Sequence, residues 1–320
     1  MASQVSQFDA RAFRERLDGA VLQRAADGHA RLRVRLPADL RLHVDGAPAT
    51  PEPAADGLVE ALVRGGDWRL ARVLRGGVEL VAARVLAGEV FVVAGQSNSA
   101  NWGAERLSST DERVRAFDGR LWRAADDPLP GVQDDSRGGS PWPVAGALLA
   151  RELSCGVGFA SCGHGGTSIR AWQREGAHER DGRSLRLQDA LVDRIRALER
   201  LRGVLWHQGE ADADVGMPRE EYARLFERLR SQVAAAAGCT VDWWIARATF
   251  VPGRDPDLLA GVGLAQLELA ARPGLHAGPD TDLLLGPLRH PVDGIHFSRA
   301  GLVAHGEAWA AAILQVLRRD

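Results

Sequence analysis

The 320-residue sequence contains no lysine; all 40 of its basic residues are arginine. That excludes a Schiff-base lysine and the lysine of a phosphate-cradling P-loop. Cysteine is scarce. Cys155, Cys162 and Cys239 make an odd count without C-x-x-C spacing, which argues against a disulfide framework or a zinc ribbon and for free thiols. No run of about 18 apolar residues occurs, so no transmembrane helix and no membrane partner are expected. Residues 1–17 lack the apolar core of a signal peptide. A cytoplasmic location is therefore expected for the chain as written, the alternative being an exported protein whose leader has been removed. An excess of one charge is missing too. The formal net charge is -2 with no long block of one sign, which removes the basic face that a nucleic-acid partner would need. The motifs G-x-S-x-G, H-E-x-x-H, G-x-G-x-x-G and the P-loop are all absent. The histidines are scattered, so neither a metal nor a cofactor is expected.

What is present divides into two parts of different grammar. Up to residue 87 the apolar positions alternate over short runs, as in Arg31-Leu32-Arg33-Val34-Arg35-Leu36, separated by turn pairs such as Asp27-Gly28 and Asp45-Gly46. This predicts a small β-sandwich over 1–87. From 88 to 320, strand and helix patterns alternate. Strands are expected at 90–94, 157–160, 203–206 and 241–248, and helices at 143–153, 185–201, 219–237, 258–271 and 300–317. The run Val90-Phe91-Val92-Val93-Ala94 has no polar residue, as expected of a strand covered on both faces. The rhythm predicts an α/β domain, a parallel sheet between helix layers. Sites in such sheets form beyond the carboxyl ends of the strands.

Chemistry-bearing residues fall at those ends. Gly95-Gln96-Ser97-Asn98 follows the first expected strand, with a glycine that permits a sharp turn and a serine exposed beyond it. Gly163-His164-Gly165-Gly166-Thr167 follows the second, where glycines expose bare backbone N–H groups. His207-Gln208-Gly209-Glu210 follows the third. Asp293-Gly294-Ile295-His296 precedes the last helix, and a carboxylate three residues before a histidine can hold the ring's Nδ1 and leave Nε2 as a base. A nucleophile, a base, an orienter and oxyanion donors are the parts acyl transfer requires.

At these residues the chain resembles the SGNH hydrolases, in the branch marked by GQSN that includes sialate O-acetylesterases and acetylxylan esterases. Four blocks carry the resemblance in order: the GQSN block; Gly165-Gly166-Thr167-Ser168-Ile169 with Trp172; Trp206-His207-Gln208-Gly209-Glu210; and Asp293-Gly294-Ile295-His296-Phe297 with Gly301. Val21-Leu22-Gln23-Arg24 is similar to the opening strand of sialate O-acetylesterases that carry an N-terminal β-domain. Met commonly follows GQSN in the sialate group, and here Ser99 stands instead. The resemblance implies a three-layer flavodoxin-like fold, a triad of Ser97, His296 and Asp293, and no metal. It implies an oxyanion hole made by the N–H of Ser97, a glycine N–H (Gly165 in preference to Gly166) and the Gln208 amide. Gln96, Asn98 and Glu210 are expected to support the site. Trp172 is a candidate sugar-stacking residue, equally readable as a buried anchor, and Trp102 and Trp142 are weaker candidates. His164, His207 and His290 read as polar neighbours, and Asp280 and Asp282 as loop or cap residues. The expected function is a serine esterase removing O-acetyl groups from an acetylated carbohydrate through an acetyl-enzyme. The rivals are a lipase or thioesterase acting on longer acyl esters, and a non-catalytic glycan-binding protein on the same scaffold.

Overall fold

Alternation of burial along each central strand sorts the apolar side chains into two cores, one per face of the sheet. In the computed structural model, which describes residues 8–51, 57–180 and 183–319, the strands are numbered in chain order. The N-terminal part holds α1 (Ala10–Leu17), β1 (Ala20–Gln23), β2 (Ala30–Arg35), β3 (Leu40–Val44), β4 (Ala47–Pro48), β5 (Thr50–Pro51), β6 (Leu58–Val63) and β7 (Arg69–Arg75). Then come β8 (Val78–Gly95), β9 (Val114–Phe117), β10 (Trp122–Ala124), α2 (Trp142–Leu153), β11 (Gly156–Ser161), β12 (His178–Arg180), β13 (Arg183–Leu185), α3 (Leu187–Leu198) and β14 (Gly203–His207). The chain ends with α4 (Glu210–Ala213), α5 (Arg219–Ala237), β15 (Asp242–Arg247), α6 (Pro256–Ala270), β16 (Leu275–Asp280) and α7 (Arg299–Leu317).

The main sheet runs β10-β9-β11-β8-β14-β15-β16, parallel throughout except for the β9–β10 pair. Val92 and Ala94 of β8, Val204 and Trp206 of β14, and Trp243 and Ile245 of β15 face the helices α3, α5 and α6. The residues between them, Phe91, Val93, Leu205, Trp244 and Ala246, face α2 and α7. Period-two alternation thus produces three layers, helix, sheet and helix. The α7 helix has the length and mean hydropathy of a membrane span. Its apolar residues Trp309, Ala310, Ile313 and Leu314 are instead packed into the core beside α2.

The expected strands and helices of the second part are all found, with ends shifted by no more than three residues except at 90–94, which is the last part of the longer strand β8 beginning at Val78. β9, β10 and β16 were not read from the pattern. β9 and β10 are only three or four residues long, and β16 carries Gly278 and Pro279, which mask it as a loop.

In the first part the three-stranded sheet β2-β6-β5 lies across a shared core from β3, β7 and the start of β8. Leu32 and Val63 meet Leu42, Val73 and Val85 there. β8 passes from this β-rich region into the main sheet as one continuous strand, so residues 87 and 88 lie inside it. The Val21-Leu22-Gln23-Arg24 segment explains how the regions are tied. β1 pairs in parallel with β8, and Gln23 and Arg24 bond the carboxylate of Glu89, which is also held by Arg202. Burial alone would raise the Glu89 carboxyl, but these donors outweigh it and hold it below its usual range.

Candidate active site

Gly95 ends β8 at φ +128°, and a Cβ there would stand 2.1 Å from the His207 carbonyl oxygen. Only glycine lets the chain turn so close to β14. The turn places Ser97 and Ser99 at the two ends of one 3₁₀ turn, and they part company. Ser99 is fully buried, its Oγ donating to the Gln96 carbonyl at 2.7 Å. Ser97 lines a pocket of about 410 Å³ that also receives His296, Gln96, Trp102, Gly165 and Gly166.

The His296 Nδ1 lies 2.8 Å from Asp293 Oδ2. Asp293 Oδ1 accepts the backbone N–H groups of Ile295 and His296 at 2.8 and 2.9 Å. Partial burial works against the Asp293 charge, but the ring and the two amides prevail, and the carboxyl sits below its usual range. The aspartate is therefore an anion with a fixed orientation, which leaves Nε2 as the free nitrogen of His296. The loop carrying this pair is cross-tied by Arg289. Its guanidinium donates to the carbonyl oxygens of Leu284, Ile295 and Thr281 at 2.6, 2.7 and 2.6 Å, between the rings of Phe250 and Phe297.

The other face of His296 is covered by Trp102, with ring centroids 5.2 Å apart and planes 21° from parallel. The Trp102 indole N–H donates to Asp134 Oδ2 at 2.9 Å. The Gly165 N–H donates to that same oxygen at 2.7 Å. This corrects the preference for Gly165 as an oxyanion donor, since its hydrogen is already engaged. Gly166, exposed and at φ +69°, has no protein partner for its N–H among the described hydrogen bonds. The same is true of the Ser97 N–H.

Gln208 is corrected as well. Its side chain is fully buried, and its Nε2 faces Asp212 Oδ2 at 2.6 Å and the Thr167 carbonyl at 3.1 Å. Its Oε1 accepts from the Tyr222 hydroxyl at 3.0 Å. An amide has two hydrogens, and both find acceptors inside the protein. Asp212, on α4, also takes the Ile169 amide at 2.8 Å and the Ser168 hydroxyl, so Gln208 and Asp212 lash the second and third blocks together. The amide at the pocket is Gln96. Its Oε1 accepts the N–H groups of Gly209 and Ala211, both at 3.2 Å, which fixes which end is oxygen. Its NH₂ group has no protein acceptor among the described hydrogen bonds, and the residue lines the pocket.

Asn98 and Glu210 behave as supports. Asn98 Nδ2 donates to Glu210 Oε1 at 2.9 Å, and His207 Nε2 stands 3.2 Å from the same oxygen. Burial pushes the Glu210 carboxyl up, but His207 and Asn98 overcome this and hold it below the usual range. Trp172 is not a sugar platform. It is wholly buried, edge-on to Trp206 at 5.2 Å, and its indole N–H bonds Thr167 Oγ1. Trp142 is buried likewise and bonds the Ser99 carbonyl. Asp282 accepts the amides of Thr249 and Phe250, and Asp280 pairs with Arg247, so neither reaches His296. Asp134, Asp212 and Arg289 were missed by sequence reasoning. The one local signal was the i, i+4 spacing of Gln208 and Asp212.

Among the described residues no group of three or more His, Cys, Asp or Glu could hold a metal ion. The family model for carbohydrate esterases, sialic acid-specific acetylesterases, matches residues 87–315. No curated protein matches the sequence. In structure the chain is similar to a carbohydrate acetylesterase from Xanthomonas citri, with 21% identity, 96% of this chain and 75% of that chain covered, and a TM-score of 0.67. It is also similar to a protein from Arabidopsis thaliana, with 20% identity, 71% of this chain and 98% of that chain covered, and a TM-score of 0.57. At such identities these likenesses speak for the fold. The family match, running over well more than half the chain and through all four blocks, carries the assignment: the protein belongs to the sialic acid-specific acetylesterase family of carbohydrate esterases, which are carboxylic ester hydrolases.

Proposed function

We propose that the protein removes O-acetyl groups from a carbohydrate by two-step acyl transfer, with Ser97 as nucleophile. The observation that carries the reading is the pairing of Ser97 and His296 in one pocket, with the histidine's far nitrogen held at 2.8 Å by an ionised Asp293. Neutral His296 takes the Ser97 proton as the hydroxyl attacks the acetyl carbonyl. Asp293 holds the ring and offsets the charge it gains. The oxyanion is received by the N–H groups of Ser97 and Gly166 and by the Gln96 amide, pocket donors without a protein acceptor among the described residues. Protonated His296 then releases the sugar alcohol. Water, deprotonated by the same nitrogen, frees acetate from the serine.

Acetate release from acetylated xylan, mannan, sialic acid and peptidoglycan fragments tests the reading, beside p-nitrophenyl acetate and octanoate. Release from at least one glycan, with rate falling steeply from acetate to octanoate and lost in Ser97→Ala, is expected. A preference for octanoate would replace the reading with a long-chain esterase. Turnover that survives in Ser97→Ala would remove the nucleophile.

A further inference from the structure

The long segment between β10 and α2, residues 125–141, is tied to both sides of the pocket. The Gln133 N–H donates to the Gly163 carbonyl at 2.9 Å, and its side-chain amide to the Cys162 carbonyl at 2.6 Å. Leu129 and the Asn101 side chain exchange two hydrogen bonds, both at 2.9 Å. Asp134 stands between these ties. Its Oδ2 accepts the Trp102 indole N–H at 2.9 Å and the Gly165 N–H at 2.7 Å, and its Oδ1 accepts the N–H and hydroxyl of Ser136. Partial burial works against this charge, but the four donors prevail and hold the carboxyl below its usual range. No arginine or histidine pairs with Asp134 among the described residues, so its charge is not cancelled by a cation.

Trp102 is pressed between two parts of the site. A Cβ on Gly165 would stand 2.8 Å from the indole nitrogen, and the indole ring lies over His296 with centroids 5.2 Å apart. An anion that accepts from the indole N–H pushes electron density into the ring, which strengthens the face that meets a cation. Granted the reading that Ser97 and His296 carry out acyl transfer, we propose that Asp134 is a positioning residue acting on both halves of the reaction. Through Trp102 it holds a polarised aromatic face against the imidazolium. Through Gly165 it sets the turn that presents the Gly166 N–H to the oxyanion. The other charged groups around His296 are Asp293 on its Nδ1, His290 at 3.7 Å from that carboxylate, Arg289 on the Ile295 carbonyl, and Glu210 and Asp214 in the pocket wall. None of them bonds Asp134, so they form a fixed background for its variants.

Two variants separate geometry from charge, with p-nitrophenyl acetate as substrate so that the identity of the sugar does not enter. Asp134→Asn keeps an oxygen for Trp102 and Gly165 and turns its NH₂ toward the Ser136 hydroxyl, but loses the charge. It should lower kcat by about 3- to 10-fold. It should also move the acid limb of kcat/KM to lower pH, because the imidazolium loses a nearby anion. Asp134→Ala removes the anchor as well. It should lower kcat by about 10²-fold with KM little changed, since the displaced donor acts on charge that exists only in the transition state. A purely structural role predicts lower melting temperatures, kcat per folded molecule unchanged and an acid limb that neither variant moves. That result would overturn the proposal. Ser97→Ala in the same assay keeps the two readings apart. If it is inactive while both Asp134 variants behave as wild type, only the role of Asp134 falls; if it retains turnover, the acyl-transfer reading falls and this proposal with it.

Discussion

Gln208 Nε2 stands 2.6 Å from Asp212 Oδ2, buried behind the pocket wall, whereas Gln96 lines the pocket with an amide NH₂ that has no protein acceptor among the described residues. The two glutamines therefore separate structure from catalysis. Gln96→Glu keeps an oxygen for the Gly209 and Ala211 amides but replaces the donor with a carboxylate oxygen. It should fold normally and lose about 10²–10³ in kcat, the usual cost of removing an oxyanion donor. Gln208→Ala should lower the melting temperature, with kcat per folded molecule little changed. Melting curves and kcat measured on the same preparations decide between the roles, and the reverse pattern would return Gln208 to the oxyanion hole.

The triad makes a second prediction. A serine-directed phosphonate should add once, on Ser97, because the Ser99 hydroxyl is buried and bonded to the Gln96 carbonyl. Asp293→Asn would present an amide NH₂ to Nδ1 and favour the ring tautomer that carries its hydrogen on Nε2, where the base must be bare. A fall in kcat of about 10³–10⁴ is expected, with melting temperature nearly unchanged. Peptide mapping of the adduct and steady-state kinetics check both statements. An adduct on Ser99 would reassign the nucleophile.

Trp102 makes a third. Its indole lies over the His296 ring at 5.2 Å, so it can stabilise the imidazolium that forms only as Ser97 is deprotonated. An aromatic face beside a cation contributes about 0.5–2 kcal/mol. Trp102→Leu should accordingly lower kcat by roughly 2- to 30-fold. Trp102→Phe should recover part of that loss. If Trp102→Leu instead raises KM alone, the indole is a platform for substrate and not a partner of the base.

Two buried groups outside the site contribute to the dependence of stability on pH with opposite signs. Burial pushes the Asp127 carboxyl up to about 6, against a value near 3.8 in the unfolded chain, although Ser140 and Leu107 donate to it. Between those values the folded state holds more protons, so this group's stabilisation is full below pH 3.8 and is lost as pH rises to about 6. His305, buried beside His207 and Arg289, is held well below its usual 6.5. Below that pH the unfolded chain takes up a proton that the folded chain refuses, so stability falls as the solution becomes acid. Asp127→Asn mimics the protonated carboxyl and should remove this group's share of the change between about pH 4 and 6, raising stability near pH 6 relative to pH 4, while leaving the His305 contribution in place. Melting temperature against pH for the two proteins measures this. An unchanged curve would mean Asp127 ionises normally in the fold.

The layered fold and the residues at its strand ends were legible because their signals are local. A run such as Val90-Phe91-Val92-Val93-Ala94 has no polar side to expose, and Gly95 permits the turn that brings Ser97 to the pocket. Asp293 and His296 are three residues apart, close enough that one loop orients the pair with little help from elsewhere. Which donors stay free is a different kind of question, because a hydrogen's acceptor can come from any loop. The Gly165 amide is taken by Asp134, 31 residues away, and the Gln208 side chain is closed in by Tyr222 and Thr167 as well as Asp212. Ion pairs form in the same way, as when Asp214 meets Arg254 forty residues along the chain. Sequence alone determined the alternation of central strands with helices and the chemistry carried at the strand ends. Packing decided which of those polar groups are consumed by one another and which remain to meet a substrate, because hydrogen bonds and ion pairs saturate, and their partners are assembled only when distant loops come together.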